Sequence, residues 1–361
     1  MQDRLFVSWD LIGSFMKSAF EKLGVPEEEA IICADVLMES DKRGIESHGC
    51  NRFKQIYIDR ILEGIQKPVT SFEIIKETPT TAVVDGHDGM GMVVAYKSMN
   101  MAIEKAKKYG IGMVAARNST HYGIAGYYAT MATKENMIGI TGTNARPSIA
   151  PTFGVENMLG TNPLTFGIPT DEEFPFVLDC ATSVTQRGKI EYYARIGKEV
   201  PVGMVISEEG TTITDAVKIL DGLTKGTAAL APLGGIGEEM GGYKGYGYAT
   251  VVEILSAALQ GGSFLKALSK PPYHLGHFFI AIDTNAFLGS EEFKKISGNI
   301  LRELRSSKVA LNEKQIYTAG EKEYISWLER KNTGVPINKS VQKELIWIRD
   351  TLKLSFTFPF E

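Results

Sequence analysis

Helical patterns occupy both ends of this 361-residue chain, whereas strand-like patterns are confined to its middle. Ser8, Pro26 and Ser47 are each placed to begin one of three helices in the first seventy residues. Helical patterns return from about Glu291 and end near Leu352. This order predicts a helical domain that both chain ends build together. Its parts are residues 1–70 and 286–361, and residues 71–285 are predicted to form an α/β domain.

The middle of the chain alternates short apolar runs with amphipathic stretches, which predicts an α/β fold. Strands are expected at 72–77, 81–85, 111–116, 137–142, 163–168, 174–179, 203–206 and 277–283. Helices are expected near 91–109, 124–136, 186–197 and 245–260.

The charge balance argues against two classes of partner. Net charge is -4, the isoelectric point is near 5.9, and no basic run is present, so neither nucleic acid nor an anionic membrane is an expected partner. No apolar run approaches the roughly 18 residues that cross a bilayer. The first ten residues lack the pattern of a secretion signal, and we therefore expect a cytoplasmic protein.

The cysteines indicate neither a disulfide framework nor a metal site. Cys33, Cys50 and Cys180 are an odd number, lie far apart and show no C-x-x-C spacing. Free thiols and no metal are the expectation.

One glycine-rich stretch has the spacing of a nucleotide-binding fingerprint but not its structural context. "GIGMVA" at 110–115 has the G-x-G-x-x-A spacing, but it follows a helical pattern and enters a strand. The motif requires the reverse order, because the N-terminus of the following helix must meet the pyrophosphate. Gly110 fits better as the residue that ends a helix. No Walker A sequence occurs either, so standard Rossmann and P-loop folds are disfavoured.

"RGIESHGCNR", residues 43–52, combines a histidine with an arginine four positions later. If Ser47 caps a helix, His48 and Arg52 lie on one helix face about one turn apart. A group able to transfer a proton would then lie beside a group able to bind a carboxylate. The alternative is an N-cap or packing role.

His121 lies in "RNSTHYGIAGYYA", between a predicted strand and a predicted helix. Loops in this position carry ligand contacts in open α/β sheets, although an N-cap or packing role is the alternative. His87, His274 and His277 lack a comparable setting and are expected to be structural or exposed.

Three further stretches have the composition of ligand-binding loops. Residues 143–169 are rich in Gly, Pro, Asn and Thr without periodicity. Asp179 ends an apolar strand, where a carboxylate can orient a histidine, bind a ribose hydroxyl or simply cap a turn. Lys244 is surrounded by seven glycines in residues 233–249, which suits either an anion site or a flexible connector.

Taken in order, five motifs resemble those of the malate/L-lactate dehydrogenase family, which is separate from the Rossmann-fold lactate and malate dehydrogenases. They are "GIESHGCNR", "NSTHYGIAGYYA", "GTNPLTFGIP", "LDCATS" with a following "RGK", and "GGYKGYGYA". The resemblance spans nearly the whole chain and is greatest to the archaeal malate dehydrogenases. Sulfolactate and ureidoglycolate dehydrogenases are similar to it as well.

The resemblance implies a homodimer with a non-Rossmann mixed sheet that binds NAD or NADP near the subunit boundary. Ser47, His48 and Asp179 match the family's polar relay, His121 its proton acceptor, and Arg52 its receptor for the substrate carboxylate. The positions expected to contact the cofactor are His121, Asn144, Ala145, Asp179, Cys180, Ala181 and Lys244.

The expected reaction interconverts a 2-hydroxy acid and its 2-oxo acid, with malate and oxaloacetate favoured and sulfolactate, lactate and ureidoglycolate open. It needs a hydride from the cofactor, a histidine to exchange the proton, and a cation to hold the carboxylate. Two other classes remain: a hydrolase that uses Ser47, His48 and Asp179, and a non-catalytic binding protein. Adjacent Ser and His point about 100° apart on a helix, and no G-x-S-x-G elbow occurs, which disfavours the hydrolase.

Overall fold

The structure, a computed structural model, describes residues 4–361. Eleven strands are formed in this part of the chain. They are β1 (Arg4–Val7), β2 (Glu73–Glu77), β3 (Thr81–Asp85), β4 (Ile111–Ser119), β5 (Met137–Thr143), β6 (Leu164–Ile168), β7 (Phe176–Cys180), β8 (Val205–Ser207), β9 (Ala228–Leu230), β10 (Leu275–Asp283) and β11 (Val335–Asn338).

The helices of residues 4–361 lie around and between these strands, and none of them has both the length and the apolar character to cross a membrane. They are α1 (Trp9–Lys22), α2 (Glu27–Lys42), α3 (Cys50–Arg52), a π-helical turn (Phe53–Ile58), α4 (Asp59–Leu62), α5 (Gly91–Tyr109), α6 (Ala125–Lys134), α7 (Arg187–Arg195), α8 (Ala216–Lys225), α9 (Gly242–Ala257), α10 (Ser290–Ser306), α11 (Glu321–Thr333) and α12 (Lys339–Leu352).

The central sheet has seven strands in the order β2-β3-β4-β10-β5-β6-β7. Only β3 and β4 pair in parallel, and every other neighbouring pair is antiparallel. A Rossmann sheet is mostly parallel, with a nucleotide loop between its first strand and first helix. The predicted α/β class with a mixed, non-Rossmann sheet is therefore confirmed.

The "GIGMVA" stretch confirms this distinction locally. Gly110 ends α5 with a φ of 83°, and the following residues form β4 rather than the first turn of a helix. Positive φ is easy only for glycine, which explains this residue at the helix end. The stretch therefore offers no helix N-terminus to a pyrophosphate.

The two ends of the chain meet through a strand pair that the sequence patterns did not predict. β1 pairs antiparallel with β11, with Phe6 opposite Pro336. Pro336 lies within β11. Proline cannot donate to a ladder, but a two-stranded sheet consists of edges, where proline is tolerated. Contacts of α1 with α12 and of α2 with α11 extend this association. The exact domain limits at residues 70 and 286 stay a prediction.

A small lobe carries a second hydrophobic core. β8 and β9 pair beside α7 and α8, and their buried side chains cluster separately from the main core. Ile149, Ile190, Val205, Ile219 and Leu230 are central members of this cluster. The sequence patterns did not separate the lobe from the α/β domain, because α8 and β9 are short and lie in a stretch with loose periodicity.

Close packing of α6 on the sheet gives a test of the fold. A Cβ added at Gly139 of β5 would lie 2.5 Å from the carbonyl oxygen of Ala129 in α6. Since backbone must move to relieve this overlap, we expect Gly139→Ala to lower the free energy of unfolding by about 1–3 kcal/mol. Gly188→Ala in α7 is the control, because no atom lies within 4 Å of its Cβ position. Equal thermal midpoints for the two variants would contradict this packing.

Candidate active site

A cleft of about 1440 Å³ lies between the main body and the small lobe. One wall consists of the turn before α3 and the exposed face of the helical segment that follows it. The opposite wall comes from α7, α8 and the loop after β5. Seven of the ten residues predicted for the site line this cleft: Ser47, His48, Arg52, His121, Ala145, Asp179 and Ala181.

The turn that carries Ser47 and His48 is capped differently from the sequence prediction. The helix begins at Cys50, not directly after Ser47, so the predicted Ser47 cap is wrong. The buried carboxylate of Asp41 accepts a hydrogen bond from the Cys50 N–H at 2.8 Å and fills that role. A side chain from the preceding helix α2 therefore caps α3, and local sequence spacing cannot show this.

Asp41 also explains the glycine beside His48. A Cβ at Gly49 would lie 2.2 Å from the Asp41 carboxylate, so a larger residue would displace the turn. Burial raises the pKa of Asp41 to about 6. Arg330 of α11 hydrogen-bonds the Asp41 carbonyl oxygen and pairs with Glu46. The C-terminal helices thus help to hold the turn that carries His48.

Arg52 is held beside His48 by a backbone contact. Its Nε donates to the carbonyl oxygen of Ser47 at 2.9 Å. Neither of its two terminal nitrogens has a hydrogen bond within the described chain, and together they form the fork that binds a carboxylate through two bonds. Ser47 Oγ lies 2.9 Å from His48 Nδ1. The three residues form one unit, although no continuous helix joins them.

His121 is oriented by two groups at the same ring nitrogen. The Gly123 N–H donates to His121 Nδ1 at 3.2 Å, and the Tyr57 hydroxyl lies 2.7 Å from that atom. A backbone N–H can only donate, so Nδ1 of the neutral ring accepts and the proton lies on Nε2. Burial raises the pKa of the Tyr57 phenol, which keeps this hydroxyl protonated. The ring therefore has an Nε2–H donor without a partner in residues 4–361.

The two histidines lie side by side, with ring centroids 5.8 Å apart and planes inclined by 16°. Burial lowers the pKa of His48 to about 4, and the charge of Arg52 acts in the same direction. Burial also lowers the pKa of His121 well below its usual range, with contributions from His48, Arg60 and Arg52. Both rings are therefore neutral at pH 7.

Asp179 lines the cleft without contacting either histidine. Its Oδ2 accepts from the Gly126 N–H at 2.7 Å, at the start of α6, and its Oδ1 accepts from Thr165 Oγ1 at 2.9 Å. No hydrogen bond in residues 4–361 joins it to His48. The Ser-His-Asp arrangement that a hydrolase needs is thus not assembled, because the carboxylate caps a helix instead.

Asn144 is buried in the wall behind the cleft. Its Nδ2 donates to the Ser263 carbonyl oxygen at 3.0 Å, and its Oδ1 accepts from the Gly276 N–H at 2.9 Å. The side chain thus ties the loop after β5 to β10. A cofactor contact of this residue stays a prediction.

Cys180 and Lys244 also lie outside the cleft lining. Cys180 is half-buried at the end of β7, with its Sγ 3.9 Å from the Leu164 carbonyl oxygen. Lys244 is exposed near the start of α9, with Nζ 5.7 Å from the Tyr243 ring centroid. Their predicted cofactor contacts are likewise untested.

The sequence patterns missed three residues that line the cleft and one buried residue that contacts His121. Tyr57 binds His121, and Arg60 follows it on the helical segment. Ser148 Oγ and Asn157 Oδ1 are buried in the cleft wall without a hydrogen-bond partner in the described chain. No local signal marks any of the four, and Tyr57 in particular lies on the buried side of the helical segment.

Comparison with known proteins matches the malate/L-lactate dehydrogenase family model to residues 7–346. The chain belongs to this family. The resemblance seen in its motifs is thereby confirmed, and the protein is an enzyme of the 2-hydroxy acid dehydrogenase type that uses a nicotinamide cofactor.

Relatives in this family include enzymes with two kinds of substrate in their names. The chain is 46% identical to a malate dehydrogenase of Pyrococcus horikoshii, over 95% of this chain and 92% of that protein. It is 40% identical to an L-sulfolactate dehydrogenase of Methanocaldococcus jannaschii, over 93% and 94% of the two chains. The crystal structure of a malate dehydrogenase from Entamoeba histolytica superposes with a TM-score of 0.95 at 44% identity, covering 98% of this chain and all of that one.

The cleft fits the nicotinamide dinucleotide that this family uses. A buried polar atom without a partner is costly, so Ser148 Oγ and Asn157 Oδ1 indicate polar groups of a ligand at this wall. Ala145 and Ala181 line the cleft, and their small side chains leave room for a planar ring. The cleft volume also exceeds the usual range of about 300–1,000 Å³ for small-molecule sites, as a dinucleotide with a second substrate requires.

Proposed function

We propose that this enzyme interconverts (S)-malate and oxaloacetate with NAD or NADP. The observation that carries this proposal is that His48, Arg52 and His121 line the same cleft, with the two histidine rings side by side. Its relatives named malate dehydrogenase, at 46% identity, support this substrate over the others. Sulfolactate, lactate and ureidoglycolate are the alternatives within the family, and a cytoplasmic location stays a prediction.

His48, Arg52 and His121 each have one task in the reduction. The nicotinamide supplies the hydride to the carbonyl carbon when it is bound. Arg52 holds the adjacent carboxylate through its two terminal nitrogens, which orients the carbonyl. His121 donates a hydrogen bond from its Nε2–H to the carbonyl oxygen and polarises it, as a neutral imidazole can, while it keeps its own proton. His48, beside it, exchanges the proton: its protonated form gives the proton to the new hydroxyl group, and its neutral form takes the proton back when malate is oxidised.

Residues away from the reacting atoms prepare this arrangement. Tyr57 and the Gly123 N–H fix the tautomer of His121, while Ser47 contacts Nδ1 of His48. Ala145, Ser148, Asn157 and Ala181 are the residues that we assign to the dinucleotide. Asp179 acts by holding the N-terminus of α6, which positions the loop that carries His121.

Cofactor binding separates this proposal from the other classes. Fluorescence titration should show saturable binding of NADH, NADPH or both. Binding of neither, together with ester hydrolysis that is lost in Ser47→Ala, would support the hydrolase instead.

The lowered histidine pKa values predict an unusual pH profile. Malate oxidation needs a neutral histidine to accept the hydroxyl proton, and a pKa near 4 keeps His48 neutral well below pH 6. We therefore expect kcat/KM for malate to be nearly constant between about pH 5.5 and 7.5. An ordinary histidine, with a pKa near 6.5, would instead give a rise of about tenfold per unit below that pH. Observing that rise would contradict the buried environment that lowers the pKa of His48.

A homodimer is proposed from the exposed face of α9. Tyr248, Val251 and Ile254 are 47–55% exposed, while the opposite face of the helix packs Ala249 and Val252 inside. A helix with apolar residues on both faces is normally covered on both. Light scattering should give twice 39.6 kDa, and Val251→Glu should give a monomer. Val217→Glu, at an exposed position of α8, is the control and should stay dimeric.

A further inference from the structure

Seven arginines and lysines line the cleft, and only some of them form an ion pair with a carboxylate. Arg43, Arg187, Lys225 and Lys266 each pair with a carboxylate at 2.6 to 3.2 Å. Arg52, Arg60 and Arg146 have no carboxylate within ion-pair distance in residues 4–361. An unpaired guanidinium in a protein wall is a receptor for an anionic ligand.

Arg60 lies on the same helical face as Arg52. Cleft-lining residues recur from Arg52 to Glu63 at intervals of three or four, while Tyr57 between them is buried. The π-helical turn between the two arginines is a rare feature that often occurs at functional sites. Both arginines line the same cleft, and the charges of both act on His121.

The surroundings of Arg60 hold it without neutralising it. Its Cζ lies 4.8 Å from the centroid of the Tyr273 ring, which also lines the cleft. The side chain is half-buried and makes no hydrogen bond within residues 4–361. Burial lowers the pKa of Arg60, and the nearby charge of Arg146 adds to that effect. The site thus has positive charge that an incoming anion would compensate.

We infer that Arg60 binds the second acid group of a dianionic 2-oxo acid, with Arg146 beside it. This inference rests on the proposed function, and it names the substrate class. Arg52 binds the carboxylate next to the carbonyl, and His121 hydrogen-bonds the carbonyl oxygen. Arg60 binds the carboxylate or sulfonate that one methylene group separates from the carbonyl carbon. A monoanion such as pyruvate leaves Arg60 uncompensated.

The test is steady-state reduction of oxaloacetate, sulfopyruvate and pyruvate by the parent, Arg60→Gln and Arg43→Gln. Arg60→Gln should lower the ratio of kcat/KM for either dianion to that for pyruvate by roughly 10–100-fold. Arg43 lines the same cleft but is paired with Glu39, so Arg43→Gln should keep the parent ratio. If the ratio falls only for oxaloacetate, Arg60 belongs to a carboxylate site. If it falls only for sulfopyruvate, Arg60 belongs to a sulfonate site.

Two results would overturn the inference while leaving the proposed function intact. One is that the parent is active and Arg60→Gln has the same ratio of kcat/KM for the dianions to kcat/KM for pyruvate as the parent. The other is that Arg60→Gln lowers kcat/KM equally for all three acids and binds NADH or NADPH more weakly, which would assign Arg60 to the cofactor. A parent that reduces none of the acids with either cofactor would instead overturn the proposed function, and this inference with it.

Discussion

Replacing His121 with alanine is expected to lower kcat for oxaloacetate reduction by about 10²–10³-fold, the usual contribution of a hydrogen-bond donor to the oxygen that gains charge in the transition state. The reason is geometric. Gly123 and Tyr57 hold the ring so that its Nε2–H has no partner in residues 4–361 and is free for the carbonyl oxygen. Alanine removes this donor but not the cleft wall that we assign to the dinucleotide. Steady-state kinetics and NADH titration together measure both effects.

His87→Ala is the matched control for this experiment. His87 pairs with Glu73 away from the cleft lining, so its loss should leave kcat unchanged. His48→Ala should also reduce turnover, because His48 lies beside His121 and is held by Ser47. Full activity in both the His48 and the His121 variants would remove the histidines from the mechanism.

Changes at Arg52 should lower kcat/KM for oxaloacetate by about 10²-fold or more, because a charge-assisted pair of hydrogen bonds is lost. Arg52→Lys should lose nearly as much as Arg52→Ala. Lysine keeps the charge, but it has neither the planar fork nor an Nε that can donate to the Ser47 carbonyl oxygen while the fork stays free.

Arg302→Lys provides the control for the arginine substitutions. Arg302 pairs with Asp171 outside the cleft, so this variant should keep parent kinetics. A cofactor titration of the Arg52 variants checks that the cleft is intact. Unchanged kcat/KM in Arg52→Ala would show that another group holds the carboxylate.

The sequence predicted most of the elements because long periodic segments are set locally. α5, β4 and β10 lie close to their predicted ranges, and "GIGMVA" was correctly rejected from its context alone. β1 and β11 were missed because each is short and becomes a strand only when it pairs with the other end of the chain. Such pairing is a tertiary effect that a local pattern does not contain.

The site was predicted by residue type better than by arrangement. His48, Arg52 and His121 do line one cleft, but the Ser47 cap was wrong because Asp41, on the preceding helix, caps α3 instead. Asp179 was expected in a relay with His48, and it hydrogen-bonds Gly126 and Thr165. Arg60 carried no signal, because an arginine on a helix surface is ordinary until its lack of a carboxylate partner can be seen.

The most direct test of the malate dehydrogenase assignment is oxaloacetate-dependent oxidation of NADH and NADPH by the purified parent enzyme, with the product identified by chiral chromatography. We expect one (S)-malate to be formed for each reduced cofactor consumed, and turnover to be faster with oxaloacetate than with pyruvate. No oxidation of either cofactor would contradict the dehydrogenase assignment for this cleft, and a clear preference for pyruvate over both dianions would contradict malate as the substrate.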